Sequence, residues 1–431
     1  MGFQPDNQQP QGGDRPDVVE GRYIVTLKPF LTQQEIADHC SAIEGHCEDH
    51  RDTATASVTD TGRSAVDSTF RRFIVGKKPN EGEVGLASVA PLDTFIGYSG
   101  VFPDATLEKI RQSTEVLNIE PDRHVYLCGS QSNAPWGLRR ISRRGKLSAS
   151  NKEYKWNDDE SGDGVWVYVI DTGVRADHTN PDGTSRVTLG KNCTKELGSR
   201  DTDTDGHGSH CAGTIAGKTY GVAKNAKVID VKVYPDSPNG GPVSTLVSTI
   251  IKGLDFAVED ALANNRIKKS VVNISSGGGA SSVFNDAVAA AVKAGMVVVV
   301  AAGNEGKDAL GTSPASAPHA ITVGAADNQD KMASWSNWGR ILDFIAPGVN
   351  IESCGISNEN AKATSSGTSM AAPHVAGLAC CLRQRDGYAD PVAVAYVLRE
   401  RAEGAISGFD QKPGTPNIAS VNMPVNQESW P

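Results

Sequence analysis

Apolar residues along this chain fall into two rhythms. Unbroken apolar runs at residues 165–170 (VWVYVI) and 296–302 read as strands buried on both faces, as in a parallel sheet, and the stretches 228–234 and 270–275, which polar residues interrupt, read as further strands. Between these runs the apolar positions switch to helical spacing. Val247, Ile250, Ile251, Leu254, Val258, Ala261 and Leu262 mark one amphipathic helix. Phe284, Ala287, Val288, Ala291 and Val292 mark a second, stopped by Gly295. Val375, Leu378, Ala379 and Leu382 mark a third, opened by the stretch 367–377 (GTSMAAPHVAG). Such alternation predicts an α/β domain, a parallel sheet with helices on both faces.

The first third follows a different pattern. Residues 1–20 are polar, with Pro, Gln, Gly and Asp, and are expected to be disordered. Residues 23–27 read as a strand, and Thr32-Gln33-Gln34-Glu35 is a capping box ahead of the apolar face Ile36, Cys40 and Ile43. A loop at 50–67, a strand at 70–75, a looping insertion at 76–91 and a strand at 95–102 follow. Asp104 then caps a helix carrying Leu107 and Ile110, and strands at 115–119 and 124–127 end the unit. The order β-α-β-β-α-β is that of a small ferredoxin-like α+β domain. Residues 129–134 have linker composition, and 407–431 read as a closing loop and tail. The expected organisation is residues 1–20 disordered, 21–128 an α+β unit, 129–422 the α/β domain and 423–431 a tail.

Composition narrows the partners. A chain of 431 residues can bury a sizeable core in two domains. Its net charge of −9 and pI of about 5.5 give no footprint for nucleic acid or an anionic membrane. No run approaches the roughly 18–20 apolar residues of a membrane span, and no signal peptide is visible in residues 1–20. The basic cluster Arg139, Arg140, Arg143, Arg144 and Lys146 reads as a solvated face, or as a site for a basic-pair protease. Eight cysteines, three before residue 129 and five after it, do not fix a redox compartment. Cys211, beside His210, reads as a small buried hydrophobe, and no zinc spacing occurs. Of two glycosylation sequons, 192–194 falls on a predicted loop and 273–275 in a predicted buried strand that should stay unmodified.

Three stretches carry the chemistry. Ser369 opens the helix of 367–377, where free backbone N–H groups and the positive dipole end suit an oxyanion-forming nucleophile, although serine there is also an ordinary cap. Asp171 ends the strand 165–170, where open α/β sheets place ligands, although an Asp after a strand is also a common turn residue. His207 lies between Gly206 and Gly208 at the start of a small-residue helix, a setting equally open to a structural histidine. The order Asp, His, Ser is the known chain order of the subtilisin triad.

With those motifs the sequence resembles the subtilisin-like serine proteases, the proteinase K-like group, over about residues 133–422. The preceding unit resembles their inhibitor propeptide. The resemblance implies a three-layer subtilisin-like fold, with Asp171 as orienter, His207 as general base and Ser369 as nucleophile. Asn304, which follows the strand 296–302, would donate to the oxyanion. Ser275, Ser276, Gly277 and Gly278 with Ala301, Ala302 and Gly303 would line the P1 pocket, whose lack of charge implies a neutral or apolar P1 residue. Gly240 and Gly241 would form a second arm pairing with an extended substrate, although Pro242 has no N–H and Ser276 replaces a usually apolar residue. The carbonyls of Pro318 and Ala320 with the Asp343 carboxylate match a structural calcium site, and no other cofactor is required. The disulfide positions of proteinase K are Trp166, Ile267 and Ile321 here, so those bridges are absent. The resulting expectation is a monomeric serine endopeptidase precursor acting on polypeptides, outside the cell or in a vacuole. Its propeptide would act as an intramolecular inhibitor and be removed by self-cleavage near Cys128–Gly129. The competing reading is a non-catalytic or permanently inhibited binding protein of the same fold.

Overall fold

The computed structural model describes residues 18–28, 31–49, 97–123, 128–148, 150–176, 186–237, 243–385 and 388–422. The chain divides into two compact units at Val125 and Tyr126. In the first, β1 (Val18–Leu27), α1 (Gln33–Asp49), β2 (Gly97–Val101), α2 (Asp104–Gln112) and β3 (Val116–Arg123) follow in order. The strands form an antiparallel sheet in the order β2-β1-β3. Alternation puts Val25 and Leu27 on one face of β1, where they pack with Ile36 and Ile43 of α1 and Leu107 and Ile110 of α2. The capping box forms as predicted: Thr32 N donates to Glu35 Oε2 at 2.7 Å and Glu35 N to Thr32 Oγ1 at 3.2 Å.

Two expectations for this unit need correction. Strand β1 begins at Val18, which pairs with Arg123, so residues 18–20 belong to the sheet rather than to a disordered tail. Asp104 is the first helical residue of α2, not its cap; Pro103 holds that position, as its fixed φ allows. The predicted strands at 70–75 and 124–127 and the loops at 50–67 and 76–91 lie outside the described residues.

The second unit contains β4 (Cys128–Gln131), α3 (Trp136–Ile141), β5 (Tyr154–Asn157), β6 (Trp166–Asp171), β7 (Val187–Asn192), α4 (His207–Ala216), β8 (Lys227–Lys232) and α5 (Val247–Ala263). It continues with β9 (Ser270–Ile274), β10 (Gly278–Gly279), α6 (Ser282–Lys293), β11 (Val297–Ala301), β12 (Thr312–Ser313), β13 (Ile321–Ala326), β14 (Phe344–Pro347), β15 (Ile351–Cys354), β16 (Lys362–Ser365), α7 (Thr368–Gln384) and α8 (Pro391–Arg401). Seven of these strands form one parallel sheet in the order β14-β13-β11-β9-β6-β8-β7. The two-residue period of β6 divides the core. Val167 and Val169 face α4 and α7, and Tyr168 and Ile170 face α5 and α6. The result is three layers with every residue of β9 and β11 buried, which is why β11 reads as an unbroken apolar run, while β9 buries Ser270 and Asn273 among its valines. The strand order reverses beside β6. The carboxyl ends of β6, β9 and β11 therefore open a crevice, and the candidate residues gather there.

Residues 129–131 of the predicted linker belong, with Cys128, to β4, which pairs with β5. Glycine there is a fit, not a flexible joint: a Cβ on Gly129 would lie 2.3 Å from the Trp156 indole. The basic cluster is not a uniformly solvated face either. Arg140 is buried and held by Asp330 at 2.5 Å and Glu403 at 2.8 Å, which ties α3 to the chain end. Cys193, Cys211, Cys354, Cys380 and Cys381 are free thiols. The first sequon also departs from expectation. Asn192 ends β7, and its side-chain nitrogen donates to Ser199 O, Arg200 O and Asp201 Oδ1, while its oxygen accepts from Thr194 N and Oγ1. Asn273, in β9, is fully buried as expected.

Candidate active site

Asp171 is the last residue of β6 and is 1% exposed. Its Oδ1 accepts from Thr172 N and lies 2.7 Å from His207 Nδ1. His207 is the first residue of α4, after Gly206 at φ +104°. Small residues are obligatory at this approach: a Cβ on Gly208 would fall 2.1 Å from the Gly173 carbonyl oxygen. Burial disfavours a charged imidazole at His207, but the Asp171 carboxylate outweighs it and holds the group well above the usual histidine range. Cys211 lies one helical turn along α4, its Sγ 4.0 Å from His207 Nδ1 and 3.4 Å from the Ser369 carbonyl oxygen. Burial pushes this thiol up, so it packs in its neutral form.

Ser369 is the second residue of α7, which the extended Gly367 precedes as N-cap. Its Oγ donates to the Ser275 carbonyl at 2.8 Å, and its own carbonyl accepts from Ser275 Oγ at 2.9 Å. Asn273 Nδ2 donates in turn to Ser275 Oγ. Asn304 follows β11 and is exposed. Its Oδ1 accepts from Thr368 N at 2.8 Å and Thr368 Oγ1 at 2.9 Å, which fixes the direction of the amide. Asn304 Nδ2 and Ser369 N lie at the same 3.6 Å distance from the position a Cβ would take on Gly367. Two N–H groups, from Asn304 and from the Ser369 backbone, thus lie on the same side of the Gly367 turn next to the serine.

A cavity of about 230 Å³ opens next to these groups. Ser276, Gly277, Gly278, Ala301, Ala302, Gly303 and Asn304 line it with Ser369. Six lining residues have no counterpart in the expected set: Tyr234, Glu305, Thr312, Ser313, Ala315 and Thr368. Glu305 alters the expectation of an uncharged pocket, since its Oε2 accepts from Asn337 Nδ2 at 2.7 Å and keeps a carboxylate at the wall. Gly278 and Gly279 form β10, which pairs with β12, and nothing crowds either glycine. Gly240 and Gly241 lie outside the described residues. Asp343 sits apart from this cluster; burial pushes its carboxyl up to about 6 against a bond from Thr322 N.

Sequence reasoning named Asp171 from a strand end, His207 from the glycines at a helix start, and Ser275 and Asn304 through the resemblance, but missed Glu305, one residue past Asn304, and Asp203, which forms four hydrogen bonds beneath α4. The alternation Asp201-Thr202-Asp203-Thr204-Asp205 just before Gly206 was the available signal, a run of cap-forming residues ahead of a helix.

Comparison with known proteins adds an independent line. Residues 162–418 match the model of the subtilase family, and residues 22–128 match that of peptidase inhibitor I9. The chain is 38% identical over 406 residues to alkaline protease 1 of Aspergillus flavus, covering 94% of this chain and 91% of the relative. It is 40% identical over 410 residues to a cuticle-degrading serine protease of Arthrobotrys oligospora, covering 94% and 91%. Among solved structures, a cold adapted subtilisin-like serine proteinase superposes with a TM-score of 0.59 at 38% identity, over 68% of this chain and 99% of that one.

Proposed function

The chain belongs to the subtilase family as a serine endopeptidase with an I9 inhibitor domain ahead of its catalytic part, and from that premise we propose that Asp171, His207 and Ser369 are its triad. The observation that carries this reading is the 2.7 Å contact between buried Asp171 and His207, with Cys211 Sγ packed between His207 and the Ser369 backbone. Ser369 Oγ attacks the scissile carbonyl after leaving its bond to Ser275 O, and His207 Nε2 takes its proton. Asp171 keeps the other ring nitrogen protonated and stabilises the imidazolium. Asn304 Nδ2 and Ser369 N bind the oxyanion. The amine leaves with the proton from His207, and a water, deprotonated by the same base, releases the acyl group.

The cavity of about 230 Å³ receives P1. Its glycine and alanine walls favour neutral or apolar side chains, and the Glu305 carboxylate extends acceptance to a basic one. A calcium ion held by Pro318 O, Ala320 O and Asp343 belongs to the same reading. A divalent cation would relieve the cost of burying that carboxylate, and its contribution would be structural. Self-removal of the inhibitor domain, a monomeric state and work outside the cell or in a vacuole complete the proposal. Among the described residues no helix is long and apolar enough to cross a membrane. The deciding experiment is labelling of the matured enzyme with a fluorophosphonate probe. Ser369 should carry the label and Ser369→Ala should not; an unlabelled wild type would refute the triad.

A further inference from the structure

One carboxylate joins two members of the triad without touching either. Asp203 lies between β7 and α4 and is 5% exposed. Its Oδ1 accepts from Asp205 N at 3.0 Å, Gly206 N at 2.9 Å and Thr172 Oγ1 at 3.0 Å, and its Oδ2 accepts from Ser209 N at 2.9 Å. Helix α4 starts on a glycine and so has no capping side chain of its own; Asp203 satisfies those N–H groups and sets a negative charge at the helix start. Thr172 Oγ1 in turn accepts from Gly208 N at 2.9 Å. The residue after Asp171 is thereby bound to the backbone on both sides of His207. The approach is tight, since a Cβ on Gly173 (φ +113°) would lie 3.1 Å from the Asp203 backbone.

We propose that Asp203 is the positioning residue of the general base: with Thr172 it fixes the first turn of α4 against the Asp171 turn and so holds His207 Nδ1 on Asp171. This rests on the triad reading above. The imidazole hangs from the first residue of a helix, and its Nδ1 meets Asp171 Oδ1 and Cys211 Sγ, so the placement of that first turn sets the ring. The charged groups around the clamp come from every neighbouring element. Asp230 on β8 is buried and pushed up to about 7 by that burial, against a bond from Val174 N. Lys232 Nζ, also on β8, donates to Thr172 O at 2.5 Å and pairs with Asp236 at 3.2 Å. Asp171 stands on β6, Asp205 ahead of α4 and Cys211 within it.

The test uses the full chain after maturation, with active sites counted by fluorophosphonate. Asp203→Asn keeps the size but offers an N–H to positions that need acceptors. It should lower kcat about 10–100-fold with KM changed less than about threefold, the cost of misplacing a catalytic group by about 1 Å. The inflection of kcat/KM against pH should fall toward the free-histidine value of about 6.5 as the Asp171 contact loosens. Thr172→Val should produce a smaller change in the same direction, and the double variant less than the product of the two. A lower Tm with kcat per active site and inflection unmoved would overturn the proposal and leave Asp203 merely structural. If Asp203→Asn fails to fold, Thr172→Val decides alone, and an unmoved inflection there is equally fatal. A wild type that neither labels nor shows an inflection would instead sink the triad reading, so the two failures are distinguishable.

Discussion

Replacing Asn304 by aspartate changes the role of a single atom. Asn304 Oδ1 accepts from Thr368 N and Oγ1 at 2.8 and 2.9 Å, and an aspartate oxygen can keep both bonds. Only Nδ2 changes, from a donor to a negatively charged acceptor. Losing one oxyanion donor costs about 2.7–4 kcal/mol of transition-state stabilisation. Repulsion between the new charge and an oxyanion about 4 Å away adds roughly 4 kcal/mol at an effective dielectric of about 20. The sum, about 7–8 kcal/mol, is a loss of about 10⁵-fold in kcat. Asn304→Ala removes the donor without adding charge and should lose only about 10²–10³-fold. Its folding penalty runs the other way. Thr368 is fully buried, and removing the acceptor of its hydroxyl costs about 1–3 kcal/mol that the aspartate avoids. The assay is kcat and KM on a peptide anilide with active sites counted, beside thermal melts of both variants. Alanine should be the more active and the less stable. Unchanged kcat in both, or an aspartate variant as active as alanine, would remove Asn304 from the oxyanion site.

Four further outcomes follow from the same geometry. Because Asp171 raises the pKa of His207, which must be neutral to act, activity should rise through an inflection above 6.5. The ion pair's contribution to folding is complete below the free-histidine value and fades as pH rises through the raised one, so melts and rates should move oppositely there; an inflection at or below 6.5 contradicts the assignment. Glu305→Gln should lower kcat/KM for a lysine P1 about 5–20-fold and leave a leucine P1 within twofold, the scale of a partly exposed charge contact; equal effects on both would remove Glu305 from P1 recognition. Chelation should lower Tm with kcat little changed, and the loss should grow as pH rises toward about 6 and level off above it, because below that pH a cation must displace a proton from Asp343; metal-free protein with an unaltered Tm retires the site. Wild type expressed in a protease-free host should acquire an N-terminus near Gly129 while Ser369→Ala stays whole; identical processing of both would assign the cut to another enzyme.

Much of the fold was legible because single residues carried their signals locally. The apolar run 165–170 became β6, and the face from Val247 to Leu262 became α5, since burial on two faces or on one leaves different periods. The Thr32–Glu35 capping box is likewise complete within four residues. What escaped depends on contacts between distant segments. Gly129 read as a linker because Trp156, which demands it, lies 27 positions on. Arg140 read as surface because its partners Asp330 and Glu403 come from the far end of the chain. Asp203 read as loop because hydrogen bonding to a neighbouring turn leaves no periodic trace.

The saturated side chain of Asn192 gives its sequon a meaning in time. An oligosaccharide on that nitrogen would replace one of the two hydrogens that between them bind Ser199 O, Arg200 O and Asp201 Oδ1. The sugar cannot be added once that loop has closed. A glycan recovered at Asn192 would therefore date its own attachment to the unfolded chain. It would also mark a population whose segment leading to Asp203 never settled, so occupancy at this position and specific activity should fall on opposite sides of one ledger.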